Sequence, residues 1–204
     1  VTNNISFTQR IVDFFSEIFH AIGKFLHLLP SPEMPSVEEF RAMPESERNQ
    51  NLETLAEYDA SAAWQYLKEA AYKDEAQVID AHELSHIVGN ALFLERGFEG
   101  IRVCDPTFAF GCLHGVTEKF LQTGGPEKVS EAVQICEEIF PEDAHIQQYA
   151  SCVHGLGHGL LTGHALDLYT ALNSCDRAPQ NARTHCYDGV FMEFSFSASP
   201  AQYP

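Results

Sequence analysis

Apolar residues at Ile11, Phe14, Phe15, Ile18, Phe19, Ile22, Phe25 and Leu26 follow the i, i+3, i+4 spacing of one helix face. Asp13, Glu17 and Lys24 interrupt this run, which argues against a membrane-spanning helix. Residues 1–29 are therefore expected to form an amphipathic helix that contacts a partner subunit or a membrane surface. Pro30, Pro32 and Pro35 mark a linker over 30–36. Ser36 with Glu39 reads as a capping box opening a short helix that ends near Met43. From there the pattern predicts helices over 45–57, 60–73, 75–96, 110–123, 127–139, 146–162, 165–175 and 184–195. No stretch alternates with period two, so the domain 37–204 is expected to be all-α.

Four segments inside this domain resemble one another. They are Asp80-Ala-His82-Glu-Leu-Ser-His86, Cys112-Leu-His114-Gly-Val-Thr-Glu118, Cys152-Val-His154-Gly-Leu-Gly-His158 and Cys186-Tyr-Asp188-Gly-Val-Phe-Met192. The third residue of each is His, His, His, Asp, and the seventh is His, Glu, His, Met. Their starts stand between 32 and 40 residues apart, the length of a two-helix repeat. The expected architecture is a set of helical-hairpin repeats packed around a central His/carboxylate cluster. Gly115, Gly155, Gly157, Gly159 and Gly189 fall inside these helices, where each costs up to about 1 kcal/mol relative to Ala. A close crossing of backbones, or room for a ligand, would give them a reason.

All six cysteines lie beyond residue 103, and no CxxC pair occurs. Regular spacing suits disulfides in an exported protein or thiolate ligands in a cytosolic one. The repeat favours disulfides, because one cysteine closes each helix pair and another opens the next. It selects the sequential pairs Cys104–Cys112, Cys136–Cys152 and Cys175–Cys186 and predicts a secreted or periplasmic protein.

The charge balance changes the picture on partners. Twelve Lys+Arg against twenty-nine Asp+Glu leave a net charge of −17. Nothing in such a chain neutralises a run of phosphates, so nucleic acid is excluded as a partner. A field of this sign attracts cations instead.

The third and seventh positions are four apart, so on a helix their side chains share a face one turn apart. His-x-x-x-His on a helix is a two-point clamp for a transition metal. If the helices surround one axis, His82, His86, His114, Glu118, His154, His158 and Asp188 converge into a site for one or two ions. Zn is the first expectation, with Fe or Cu as alternatives. His164 and His185 are candidates for outer partners of the ligands.

His82-Glu83-Leu84-Ser85-His86 resembles the HExxH segment of zinc metallopeptidases, and with Gly89 it resembles the longer metzincin pattern over eight residues. That resemblance implies zinc on His82 and His86 with Glu83 as general base. The third metzincin histidine is Leu92 here. His154, His158 and His164 have the three-histidine spacing, with Gly155 where the glutamate would stand. The repeat accounts for His82 and His86 without a peptidase. Two function classes follow. One is a metalloenzyme acting on a small-molecule or peptide substrate with Glu83 or Glu118 as base; the other is a non-catalytic metal-binding or structural module.

Overall fold

The computed structural model describes residues 30–71 and 78–197. The expected amphipathic helix over 11–29 lies outside these residues. Met34–Pro204 forms a compact unit. The described residues contain helices and no strand: α1 Val37–Ala42, α2 Glu45–Tyr58, α3 Ala60–Ala71, α4 Val78–Arg96, α5 Gly111–Gly124, α6 Val129–Ile139, α7 Glu142–Gly163, α8 Leu168–Cys175 and α9 Arg183–Ser197. Short 3-10 segments, Gly97–Val103 and Pro126–Lys128, follow α4 and precede α6. None of the described helices is long and apolar enough to cross a membrane.

Ser36 caps α1 as expected, with its hydroxyl accepting from the Glu39 N–H while the Glu39 carboxylate accepts from the Ser36 N–H. Helices α2 and α3 pack on α4, and α1 packs on α3. Their fully buried Leu52, Trp64 and Leu67 join Val88 and Leu92 of α4 in the core. The third-histidine position of the metzincin pattern is thus a core leucine. From α4 onward the helices pack in series: α4 on α5, α5 on α7, α7 on α9. Helix α6 backs α7, and α8 lies against α7 and α9.

Glycine decides how closely these helices approach. A Cβ on Gly115 would overlap the His86 carbonyl, and one on Gly189 would overlap the His154 carbonyl. A Cβ on Gly155 would stand 2.7 Å from the His114 Cα, and one on Gly159 would stand 2.9 Å from the Glu118 Cα. The backbones touch where the histidines are attached, which brings the histidine-bearing helices close together.

The three disulfides are the sequential ones, Cys104–Cys112, Cys136–Cys152 and Cys175–Cys186, with Cα–Cα distances of 5.6, 5.8 and 5.8 Å. They tie the segment after α4 to α5, α6 to α7, and α8 to α9. No free cysteine is left among the described residues.

Element ends differ from the expectation for identifiable reasons. The helix expected over 165–175 begins at Leu168, because Ala165 and Leu166 adopt left-handed φ of 53° and 68° and Asp167 caps the Thr170 N–H. The helix expected over 146–162 begins at Glu142 and runs through a kink at His145. Before α5 the chain makes a left-handed turn through Phe108, Ala109 and Phe110, with φ of 55°, 50° and 65°. Such a turn without glycine costs about 1–2 kcal/mol per residue. Its consequence is seen at the histidines.

Candidate metal centre

Five imidazoles meet at the junction of α4, α5 and α7: His82 and His86, His114, and His154 and His158. Two triads, His82/His86/His114 and His114/His154/His158, each bring one ligand atom per residue within 4.8 Å of one another. His82, His86, His114 and His158 are buried. His114 is the hub, with ring centroids 4.9 Å from His154 and 5.3 Å from both His82 and His158.

The groups behind the rings fix their protons. His82 Nδ1 stands 2.8 Å from the Phe108 carbonyl, which the left-handed turn presents to it. A carbonyl only accepts, so Nδ1 carries the hydrogen and Nε2 is left as a lone pair. His86 Nδ1 donates to Glu118 Oε2 at 3.0 Å, and His158 Nδ1 donates to Glu193 Oε2 at 2.9 Å. Both therefore turn Nε2 away from the carboxylate.

The Nε2 atoms of His82 and His86 face each other at 3.2 Å. At this distance the two nitrogens share a cation, either a proton carried by one ring or a metal ion bound by both. Burial, and then the neighbouring His86, pushes His82 down to about 4, so its Nε2 is held as a lone pair. A metal ion fits: two nitrogens at about 2.0–2.1 Å from one tetrahedral ion stand about 3.3–3.4 Å apart. His158 Nε2 and both nitrogens of His114 are buried without a hydrogen-bond partner. Burial and the surrounding imidazoles hold His114 well below the ordinary histidine range, and burial takes His154 down to about 3. The His82, His114 and His154 rings are held neutral and converge, and neutral imidazole is the form that ligates a metal.

Carboxylates act behind the imidazoles. Glu118 spends Oε2 on His86 and accepts at Oε1 from Gln122 Nε2 at 2.8 Å, so both its oxygens are engaged. It supports a ligand rather than standing among the triads. Glu193 supports His158 in the same way. Its burial favours the protonated form, but hydrogen bonds from His158 and Ser197 outweigh that and hold it below the usual carboxylate range. This carboxylate–histidine arrangement orients a ligand and raises its basicity.

The two remaining expected residues are placed elsewhere. Asp188 is exposed and joins neither triad. Gly189 packs directly on the α7 backbone, and its neighbour Asp188 is rotated about 100° away. The residues three and four beyond Gly189 come round to the cluster instead, giving Met192 and Glu193. Met192 Sδ stands 3.3 Å from His154 Nε2. Glu83 is exposed too, because Ala81, His82, Leu84, Ser85 and His86 take the buried face of α4. The zincin-like base is thus turned away from the imidazoles. His164, the third histidine of the second zincin-like set, pairs with Ser174 Oγ at 2.9 Å.

Met192 and Glu193 escaped sequence reasoning, although Met192 occupies the seventh position of the fourth segment.

A cavity of about 250 Å3 opens beside the cluster, lined in part by His82, His114, His154, His185 and Met192. Neither Glu83 nor Glu118 lines it. The chain matches no family model, no curated protein and no solved structure. What the site can do follows from its donors.

Proposed function

We propose that this chain is an extracytoplasmic transition-metal-binding protein whose centre is built by His82, His86, His114, His154 and His158. The observation that carries the reading is the convergence of these rings: His82 and His86 bring Nε2 atoms to 3.2 Å, with their Nδ1 atoms held by Phe108 and Glu118, beside a buried His114 whose two nitrogens have no partner. Imidazole donors suit Zn, Fe and Cu, and the Met192 thioether beside His154 adds weight to copper at that end. Export is supported by three disulfides, which persist in oxidising compartments. The acidic surface draws cations toward the protein.

The test is elemental analysis of the full chain with its disulfides intact. Protein stripped by chelator, loaded with Zn, Fe or Cu and dialysed is expected to retain metal, and His86→Leu is expected to retain less. Protein that keeps none of the three would overturn the reading.

One observation favours a second reading, a metal-dependent enzyme. The cavity reaches His82, His114 and His154, so a small molecule has access to the centre. In that case His185, which lines the same cavity, is better placed to exchange a proton with a bound molecule than Glu83 or Glu118. A peptidase of the HExxH type has less support, because its glutamate is exposed away from the imidazoles.

A further inference from the structure

His114 belongs to both triads. It sits on α5, which packs between α4 with its histidine pair and α7 with the other. For His82, His86 and His158, Nδ1 is satisfied by Phe108, Glu118 or Glu193, leaving Nε2 to ligate. His114 departs from this pattern, since it is buried and neither ring nitrogen has a partner. A neutral imidazole has one N–H and one lone pair. A single ion would satisfy the lone pair and strand the N–H, a buried donor whose loss of hydrogen bonding costs about 1–3 kcal/mol. An ion on each nitrogen satisfies both together.

Accordingly, we propose that the cluster holds two transition-metal ions, one on His82 and His86 and the other on His154 and His158, with His114 bridging them as an imidazolate. This rests on the metal-binding reading above and goes further in fixing the number of ions and the shared ligand. The balance is simple. The N–H bond of His114 is replaced by a second nitrogen–metal bond, and the proton leaves to solvent through the cavity that reaches this ring. The resulting anion, with the carboxylates of Glu118 and Glu193 behind the ligands, offsets most of the charge of two divalent ions. The two ends differ chemically. The α4 end offers nitrogen alone, and the α7 end has Met192 Sδ beside His154.

Cu(II) is the probe, because an imidazolate bridge couples two Cu(II) spins and removes part of their paramagnetic signal. The stripped full chain is titrated with Cu(II), with copper counted by elemental analysis and unpaired spins by low-temperature paramagnetic resonance. The expected result is two copper ions per chain and a spin count well below two. In His114→Leu, with its fold checked by circular dichroism, every copper that remains should be counted as a full spin. One copper per chain with one full spin would overturn the bridge and leave the metal-binding reading intact. Two coppers with two full spins in the native protein would overturn the bridge as well, and so would coupling that survives in His114→Leu. A chain that retains no copper, iron or zinc would remove both readings.

Discussion

At the scale of single residues, the centre is costly when empty, and that cost can be measured. Two partnerless nitrogens on a buried His114 burden the metal-free fold, and a leucine of comparable size carries no such penalty. His114→Leu is expected to stabilise the metal-free protein by about 1–3 kcal/mol while abolishing most of the stabilisation that Zn gives. Thermal unfolding with chelator and with Zn reads both effects, and a destabilised metal-free variant would show that the ring is held by packing. Glu118→Gln keeps an acceptor for the His86 Nδ1–H but removes its charge, so metal affinity should fall by about 10-fold or more. Glu83→Gln should change neither metal content nor stability, because the side chain is exposed; a measurable loss of metal would restore Glu83 to the site. The five histidines were legible because i, i+4 spacing needs only a helix to place two rings on one face. Asp188 misled because position within a repeat says nothing about the rotation of the last helix. That rotation follows from Gly189 meeting the His154 carbonyl, a contact between backbones that no side-chain pattern encodes.

Among the elements, the glycines set the distances. The helices were legible from their periodicity, and the glycines from their cost, but the partner of each glycine was not. Gly189 is packed against α7, whereas Gly163 at the end of the same helix meets nothing within 4 Å. Gly189→Ala should therefore destabilise the protein by about 1–3 kcal/mol as an overpacked crossing, and lower metal retention as the helices part. Gly163→Ala should be neutral or slightly stabilising. Equal effects on denaturant midpoints would count against the crossing as the element that positions the rings. The turn through Phe108, Ala109 and Phe110 was not legible, because its residues carry none of the glycine or asparagine that marks a left-handed backbone. It persists because Cys104–Cys112 closes the loop and the Phe108 carbonyl meets His82. Local strain of this kind collects at functional sites.

For the whole molecule, disulfides and buried neutral imidazoles pull stability in different directions as conditions change. Each disulfide contributes about 2.5–3 kcal/mol in the chain-entropy model, independent of pH over the neutral range. The imidazoles are not independent of pH. Burial lowers His82 to about 4 and His154 to about 3, and His114 lies well below the ordinary value of 6.5 that all three regain on unfolding. Above that value both states are neutral and the shifts have no effect. Between about 6.5 and 4 the unfolded chain takes up protons that the folded one refuses, so stability falls with pH across that window. Glu193 acts in the same direction lower down, because its folded value lies below the unfolded one and its contribution is lost as the carboxyl protonates. One effect opposes them: acid reduces the net charge of −17 and relieves self-repulsion. The two are separable, since charge relief acts on every variant while the histidine effect needs the rings. Metal-free protein should therefore unfold at a lower temperature at pH 5 than at pH 7, and a His82→Leu, His154→Leu double variant should show a weaker dependence. With metal bound the decline should be steeper, because each proton taken up by an imidazole removes a ligand. Unfolding temperatures that stay level from pH 7 to 5 without metal would mean that the rings are already solvated, and the buried five-imidazole centre would then have to be abandoned.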